Sequence, residues 1–329
     1  MNWKWESDWK VVVAGIVFLL SVSFSVVHWF GAYFGQPPAY VFRSTHLSII
    51  LLLVYLTELL KPRTGVRALA NIAIIAACIF IVAMQAFYIL ADPNSIYDKP
   101  GNLTDFDVWI GSIYLLLVFD ATRRALGWAL IVVAAFFLVN ALIADKMFWV
   151  FYGPPVSWDY LIEIIFFTSE GLFTTPLGAM ASYIVLFIIF GTMLVHTGAQ
   201  TAFTKLAMSL VGSRVGGPAK VAVISSGMLG SISGSAVANV MTTGSITIPL
   251  MKRLGYPKSF AGAVEAAASS GGQVMPPIMG ATAFIMAEFL QVPYTDIALA
   301  ALFPVVLYYA SLYCMVHFEG RRKDLKPLP

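Results

Sequence analysis

The chain has 329 residues, of which 59% are hydrophobic and 11% are charged, and its mean hydropathy is +0.83. Soluble domains carry about 25% charged residues, so this composition excludes an ordinary soluble protein and indicates an integral membrane protein. The net charge of +3 is too small to suggest a nucleic-acid partner. Apolar runs of helical length recur, whereas the alternating segments of about 10 residues that build a membrane barrel do not. The sequence therefore predicts an all-α integral membrane fold, a polytopic helical bundle in the lipid bilayer.

The first part of the chain predicts crossings at residues 11–34, 40–60, 68–90, 108–121 and 128–144. An amphipathic helix at 158–167 is expected to lie flat at the outer interface with its aromatic side chains inward. A crossing at 174–196, a surface helix at 198–212 and a final crossing at 297–316 complete the regular helices.

Charged residues divide between the two sides of these crossings. One side carries Lys4, Lys10, Lys61, Arg63, Arg67, Arg123 and Arg124, and the other carries Asp92, Asp98, Asp105 and Asp107 against Lys99. Lysine and arginine in short loops remain on the cytoplasmic side of a membrane. The distribution therefore predicts a cytoplasmic N-terminus.

The stretch 217–251 predicts a re-entrant hairpin instead of a crossing. Residues 221–251 carry no charge, but they are too many for one helix, since about 20 residues span a bilayer. Serine, threonine and asparagine interrupt the apolar pattern, and glycines such as Gly230 and Gly234 weaken a continuous helix. Basic residues at both ends place the two ends on the same side. Two half-helices meeting at a tip satisfy all three observations.

Residues 259–290 predict a discontinuous helix. Ser269 to Val274 is flexible and polar, and Pro276-Pro277 suits the first turn of a second half-helix over 278–290. Such a break exposes carbonyl groups that suit a cation and N–H groups that suit an anion. Short apolar segments interrupted by glycine and proline indicate the midplane site of a transporter.

Three motifs carry a resemblance to a known family. They are Gly230-Ser-Ile-Ser-Gly-Ser-Ala-Val-Ala-Asn239, Thr243-Gly-Ser-Ile-Thr-Ile-Pro-Leu-Met-Lys-Arg253, and Phe260-Ala-Gly-Ala-Val-Glu-Ala-Ala-Ala-Ser-Ser-Gly-Gly-Gln-Val-Met-Pro-Pro-Ile-Met-Gly280. They resemble the DctM-like large membrane component of TRAP transporters, and in particular the fused 4TM/12TM permeases that work with TAXI-type binding proteins. The resemblance is strong from about Gly127 to Asp324 and mostly topological before that.

The resemblance implies a domain organisation and a function. Residues 1–125 would be a four-helix scaffold similar to the fused small component, and residues 126–329 the first half of the large component, with one hairpin (217–251) and one broken helix (259–290). The family implies sodium-driven import of an organic anion through the cytoplasmic (inner) membrane of a bacterium or archaeon, by elevator-like alternating access. An extracytoplasmic TAXI-type protein would deliver the anion, and a second half of the permease would be a separate partner if it is encoded separately.

Oxygen-rich residues at the two interruptions are the expected sodium ligands, with sodium as the coupling ion. They are Ser231, Ser233, Gly234, Ser235 and Asn239 in the hairpin, and Ser269, Ser270, Gly271 and Gly272 in the broken helix. The expected substrate-binding residues are Asn239, Thr243, Gln273, Pro276 and Pro277. Neither interruption contains an arginine, so this half alone does not identify the anion.

Glu265 is the one carboxylate of the first half-helix, and a proton-coupled transporter would use it. We expect instead that it lies near the cytoplasmic surface, hydrated or paired with Lys252 or Lys258. The sequence is also compatible with an ion channel that shares the hairpin, and with an inactive half that needs a separate second half.

No catalytic constellation is present, so an enzyme is not expected, and no metal other than sodium is expected. The histidines, His28, His46, His196 and His317, lie near predicted helix ends without the spacing of a ligand pair. We expect Cys78 and Cys314 to be small buried hydrophobes. Glu58 and Asp120 are expected at the interface beside Lys61 and Arg123.

Overall fold

The computed structural model describes residues 3–61 and 69–324, and for residues 3–8, 69 and 95 it describes the backbone alone. Within these ranges the chain is helical and contains no strand, which confirms the all-α fold. It divides into two compact units, Met1–Ala181 (unit 1) and Ser182–Pro329 (unit 2). Arg63, Arg67 and the tail after Asp324 lie outside the described residues.

Unit 1 contains α1 (Trp3–Phe34), α2 (Ala39–Leu60), α3 (Leu69–Ala83, continued by a π-helical segment, Met84–Leu90), α4 (Asp105–Leu126), α5 (Trp128–Leu142), α6 (Trp158–Ile162, continued by a π-helical segment, Glu163–Phe167) and α7 (Thr175–Ala179). A π-helical segment, Met180–Ile184, leads into unit 2. Unit 2 contains α8 (Val185–His196), α9 (Ala199–Val211), α10 (Gly217–Ser233), α11 (Ala236–Arg253), α12 (Lys258–Gly271), α13 (Ala281–Leu290) and α14 (Tyr294–Arg322).

Among the described residues, 5 helices are long and apolar enough to cross a membrane: Trp9–Phe34, Ala39–Leu60, Ala70–Leu90, Thr175–His196 and Tyr294–Arg322. They coincide with five of the crossings that the sequence predicts. The predicted crossing 108–121 lies within the longer α4, and the predicted crossing 128–144 corresponds to the shorter apolar α5. The chain is therefore a multi-pass membrane protein.

Large side chains form the core of unit 1. Tyr55, Tyr114 and Phe166 are fully buried, and Phe166 belongs to the segment predicted to turn its aromatic residues inward. A Cβ atom on Gly111 would lie 2.6 Å from Cγ2 of Ile162. The absence of a side chain at this position therefore permits α4 and α6 to pack closely.

Two histidines, His28 of α1 and His46 of α2, meet inside unit 1. His28 Nε2 and His46 Nδ1 are 2.8 Å apart, and both side chains are buried. Because His28 Nδ1 donates to the Phe24 carbonyl, its Nε2 accepts a hydrogen bond from His46. The sequence did not predict this contact, because α1 and α2 are neighbours whose side-chain contacts are distant in sequence. No cluster of three metal-ligating side chains occurs in the described ranges.

Two further expectations can be compared with the structure. Glu58 pairs with Lys61 and with Arg124, and Asp120 pairs with Arg123, as expected.

Both cysteines are free, but Cys78 is half-buried and Cys314 is exposed, so the prediction of burial was wrong for Cys314. Cys314 lies on an exposed side of α14, so the apolar character of the surrounding sequence did not indicate a protein core there.

Asp107 holds the start of α4 in place. Thr104 and Asp107 form a capping box, and Lys99 Nζ lies 2.9 Å from Asp107 Oδ1. Burial alone would raise the pKa of Asp107, but hydrogen bonds from Tyr88, Thr104 and Lys99 outweigh it and lower the pKa to about 2. This pKa lies below the unfolded value of about 3.9. The ionised Asp107 carboxylate therefore stabilises the folded state fully at neutral pH, and this stabilisation is lost as the pH falls from about 4 toward 2.

We predict that Asp107→Ala lowers the free energy of unfolding by about 2 kcal/mol, since it removes a helix cap and leaves Lys99 without its buried partner. Asp105→Ala is the control, because Asp105 is exposed in the same helical turn. Thermal unfolding in detergent at neutral pH measures both variants. Equal melting temperatures for the two would contradict the role of Asp107.

Candidate functional site

The predicted hairpin is present as α10 and α11, which are separated by Gly234 and Ser235. Gly234 has φ +62° and donates its N–H to the Gly230 carbonyl at 3.0 Å. This left-handed conformation is readily available to glycine and ends α10. The Ser235 hydroxyl then accepts the Ala238 N–H at 3.3 Å and caps α11. Local sequence therefore explains why the chain turns at this point.

The predicted break is also present, but its second half-helix begins later than expected. The first half, α12, ends at Gly271, and α13 begins at Ala281 with Gly280 as its N-cap. Pro276 and Pro277 therefore lie within the break and not in the first turn of α13. The Gly280 N–H bonds to the Gln273 carbonyl at 2.7 Å, which folds the chain back on itself and delays the helix.

The two interruptions meet in space. A Cβ atom on Gly230 would lie 2.7 Å from the Gly272 Cα, so the two backbones are in direct contact. The Ile278 N–H bonds to the Ser231 carbonyl at 3.0 Å. The Met279 carbonyl occupies the space that a side chain on Gly234 would need. The hairpin tip and the helix break therefore form one site, the tip–break junction (residues 230–235 and 272–280).

Two side-chain oxygens in this region are buried without a hydrogen-bond partner. They are Ser233 Oγ and Asn239 Oδ1. The amide of Asn239 is fixed in this orientation, because its Nδ2 donates to the Ser226 carbonyl at 2.8 Å. Ser233 lines a cavity of about 190 Å³ together with Ile184, Phe187, Ile188, Gly234, Ser235, Ile278, Met279, Ala281 and Phe284. A buried oxygen without a donor costs free energy unless a donor or a cation approaches it.

The other predicted sodium ligands have local partners. The hydroxyls of Ser231 and Ser270 donate to the Met228 and Ala266 carbonyls. Gly271 packs against Tyr308, and Gly272 packs against Gly230.

Tyrosines of α14, which were not among the predicted site residues, occupy the carbonyl end of α12. The Tyr308 hydroxyl donates to the Ala267 carbonyl at 2.8 Å, and the Tyr309 hydroxyl donates to the Ala268 carbonyl at 2.7 Å. The Ser269 carbonyl accepts the Gly272 N–H at 3.2 Å. The end of α12 is thus largely satisfied, whereas Ser233 Oγ and Asn239 Oδ1 of the hairpin have no partner. The sequence feature that could have indicated these contacts is the pair of adjacent tyrosines in an apolar helix.

Of the predicted substrate-binding residues, Gln273 and Pro277 are exposed, Pro276 is half-buried, and Thr243 is buried with Asn239. Thr243 does not face the cavity at the tip. Its hydroxyl donates within the hairpin and to Glu265.

Glu265 lies at the centre of a buried cage of hydroxyl groups, and the expectation of a hydrated or lysine-paired carboxylate was wrong. It is 0% exposed. Its Oε1 accepts from Ser226 at 2.6 Å, from Ser269 at 3.2 Å and from Thr243, and its Oε2 accepts from Thr247. The cage joins α10, α11 and α12. The spacing of four residues between Thr243 and Thr247, and between Glu265 and Ser269, places each pair on one helix face and could have indicated it.

Comparison with known proteins adds independent evidence. Residues 113–329 match the family described as the DctM component of the tripartite ATP-independent periplasmic transporter. The chain is 24% identical over 184 residues to the 2,3-diketo-L-gulonate TRAP transporter large permease protein YiaN of Escherichia coli, covering 53% of this chain and 43% of YiaN.

Two further relatives match shorter regions. The C4-dicarboxylate TRAP transporter large permease protein DctM of Rhodobacter capsulatus is 33% identical over 91 residues, 28% of this chain and 21% of that protein. The isethionate TRAP transporter permease protein DctMQ of Oleidesulfovibrio alaskensis is 34% identical over 119 residues, 36% of this chain and 18% of that protein. The chain therefore spans less than half the length of these relatives.

The geometry of the tip predicts that Gly234→Ala disrupts the tip–break junction. A Cβ atom at this position would collide with the Met279 carbonyl and would require a left-handed alanine. We expect Gly234→Ala to lower the free energy of unfolding by about 2 kcal/mol or more. Gly262→Ala in α12 is the control, because a Cβ there meets nothing within 4 Å and should stabilise the helix by up to about 1 kcal/mol. A melting temperature of Gly234→Ala equal to that of the parent protein would contradict the predicted collision.

Proposed function

This chain belongs to the family of the DctM component of TRAP transporters, and on that premise we propose that it forms part of the membrane pathway of a sodium-coupled importer of organic carboxylates. The members of this family are membrane transport components and not enzymes. The observation that carries the sodium proposal is the pair of buried oxygens without partners, Ser233 Oγ and Asn239 Oδ1, beside interrupted backbone. Sodium is a hard cation that hydroxyl, amide and carbonyl oxygens bind in discontinuous helices.

The tip–break junction supplies such oxygens without a carboxylate. We propose that Ser233 is a direct ligand and that the carbonyl oxygens of Gly234 and Met279, which both lie where Gly234 packs against residues 279 and 280, complete part of the ligand shell. A ligand set of neutral oxygens suits an ion that must bind and leave in each transport cycle. Asn239 would contribute from the interior of the hairpin, where its oxygen has no other donor.

The organic anion would bind at the same junction, beside Gln273, Pro276, Pro277 and the first turn of α13. The N-terminus of α13 has no side-chain cap, so its free N–H groups can receive a carboxylate. The basic residues of 217–290 lie toward helix ends away from the tip. The remaining positive charge would therefore come from the sodium ion or from a second half of the permease.

We also propose a partner protein for the chain and a position for it in the membrane. An extracytoplasmic TAXI-type protein would deliver the anion, and the chain would lie in a bacterial or archaeal cytoplasmic membrane with its N-terminus inside. Within unit 2, the contacts among α10, α11 and α12 support an elevator-like movement in which the hairpin and α12 travel as one body.

Sodium binding is testable on the chain itself. Sodium chloride should raise its melting temperature relative to choline chloride at equal ionic strength, and Ser233→Ala should weaken the apparent sodium affinity about tenfold, the equivalent of about 1.4 kcal/mol. Ser245→Ala is the control, because that exposed hydroxyl donates to the Thr242 carbonyl. Identical responses of all three proteins to sodium would contradict the site. Uptake into proteoliposomes with the binding protein then tests transport.

Glu265→Gln distinguishes sodium coupling from proton coupling. Hydroxyl groups can turn to donate to or accept from an amide, so we expect the variant to fold and to keep sodium-driven uptake. Glu265→Leu, which leaves the hydroxyls of Ser226, Thr243 and Thr247 without their acceptor, should lower the free energy of unfolding by about 3 kcal/mol. Loss of uptake by a stably folded Glu265→Gln protein would favour a proton-coupled transporter, which the burial of Glu265 makes the second candidate.

A further inference from the structure

Lys220 is a buried cation without an anionic partner. The residue lies in the first turn of α10 and is 2% exposed. Its ammonium group donates to His317 Nδ1 at 3.0 Å and lies 4.9 Å from the centre of the Tyr313 ring. No ion pair joins it to a carboxylate in the part of the chain that the structure describes. An ammonium group has three donors, so donor capacity remains.

Other positive charges surround it. The Arg214 carbonyl accepts the N–H of Gly217, the first residue of α10, at 2.8 Å, and Arg321 follows Gly320, which packs against Gly216. Two carboxylates, Glu319 and the exposed Asp324, also lie at this end of unit 2, and Glu319 already pairs with Arg322 at 2.9 Å and with Lys323 at 3.3 Å. Arg214 and Arg321 are exposed, whereas Lys220 is buried, and an anion beside like charges compensates their repulsion.

A second, independent feature lies beside Lys220. The Tyr256 hydroxyl is buried, with the residue 3% exposed, and it has no hydrogen-bond partner. It lies 3.2 Å from the position that a Cβ atom on Gly216 would occupy, and Gly216 is the N-cap of α10. Gly216 offers no side chain to cap the helix. A free hydroxyl and the positive end of a helix dipole therefore lie together at the base of the hairpin.

We propose that this end of unit 2 binds a phosphate group between Lys220, Arg214 and Arg321, at the N-terminus of α10. The phosphate is the headgroup of an anionic phospholipid or free inorganic phosphate. Basic pockets between membrane helices bind such headgroups on the cytoplasmic side, and the clustering of Lys and Arg at this end assigns it to that side. The bound phosphate fixes the first arm of the hairpin at headgroup depth, whether or not the chain transports sodium.

The test uses the purified chain in nanodiscs of phosphatidylcholine, alone or mixed with phosphatidylglycerol. Phosphatidylglycerol should raise the melting temperature of the parent protein by about 3 °C. Lys220→Met should abolish that gain, and in phosphatidylcholine alone it should melt no lower than the parent, because an uncompensated buried charge has been removed. Lys205→Met, which removes an exposed lysine of α9, should behave like the parent.

A second variant and a second ligand complete the design. Tyr256→Phe should reduce the gain without lowering stability in phosphatidylcholine alone, since it removes only a hydroxyl without a partner. Inorganic phosphate added to phosphatidylcholine nanodiscs distinguishes the two sources of phosphate. A rise in melting temperature that depends on Lys220 and occurs with inorganic phosphate but not with phosphatidylglycerol assigns free phosphate. A rise with phosphatidylglycerol but not with inorganic phosphate assigns the lipid headgroup. Equal responses of the parent and Lys220→Met to both ligands would overturn the proposal.

Discussion

The direct contact between the backbones of Gly230 and Gly272 is the constraint on which unit 2 depends. A Cβ atom on either residue would lie 2.6–2.7 Å from the Cα of the other, so neither position can carry a side chain without moving a helix. Their approach brings the Ser231 carbonyl within reach of the Ile278 N–H at 3.0 Å. Van der Waals packing of small residues is the main force that associates helices in lipid, and here it also positions irregular backbone.

Polar groups in unit 2 divide into a satisfied network and a few oxygens without partners. Glu265 accepts hydrogen bonds from four hydroxyl groups across three helices, which fixes α10 and α11 against α12. A fully connected polar network is rigid because every other arrangement leaves a buried group unpaired. Against this background, the oxygens of Ser233 and Asn239 stand out. They lie in the hairpin, which under the proposed function moves as one body with α12.

Local patterns in the sequence predicted the interruptions, but contacts between helices were not predictable in the same way. Gly234 and the run from Ser269 to Pro277 break helices through their own backbone preferences, so both interruptions were predicted close to where the structure has them. The partners of Glu265 come from helices up to 39 residues away in sequence. The sequence suggested water, Lys252 or Lys258 as its partner, yet packing turns the carboxylate inward. The pairing of His28 with His46 was missed for the same reason.

The chemistry of the tip–break junction also bears on how an ion and an anion would be coupled. The junction offers hydroxyl and carbonyl oxygens but no basic side chain, so without an ion only the N–H groups at the start of α13 oppose a potential that is otherwise unfavourable to a carboxylate. A bound sodium ion would reverse the sign of that potential in a medium where charges interact strongly. The anion would then gain affinity only after the ion had bound, and by linkage the ion would be held more tightly once the anion had arrived. Under the proposed function, coupling therefore arises from the lack of a resident cation at the junction.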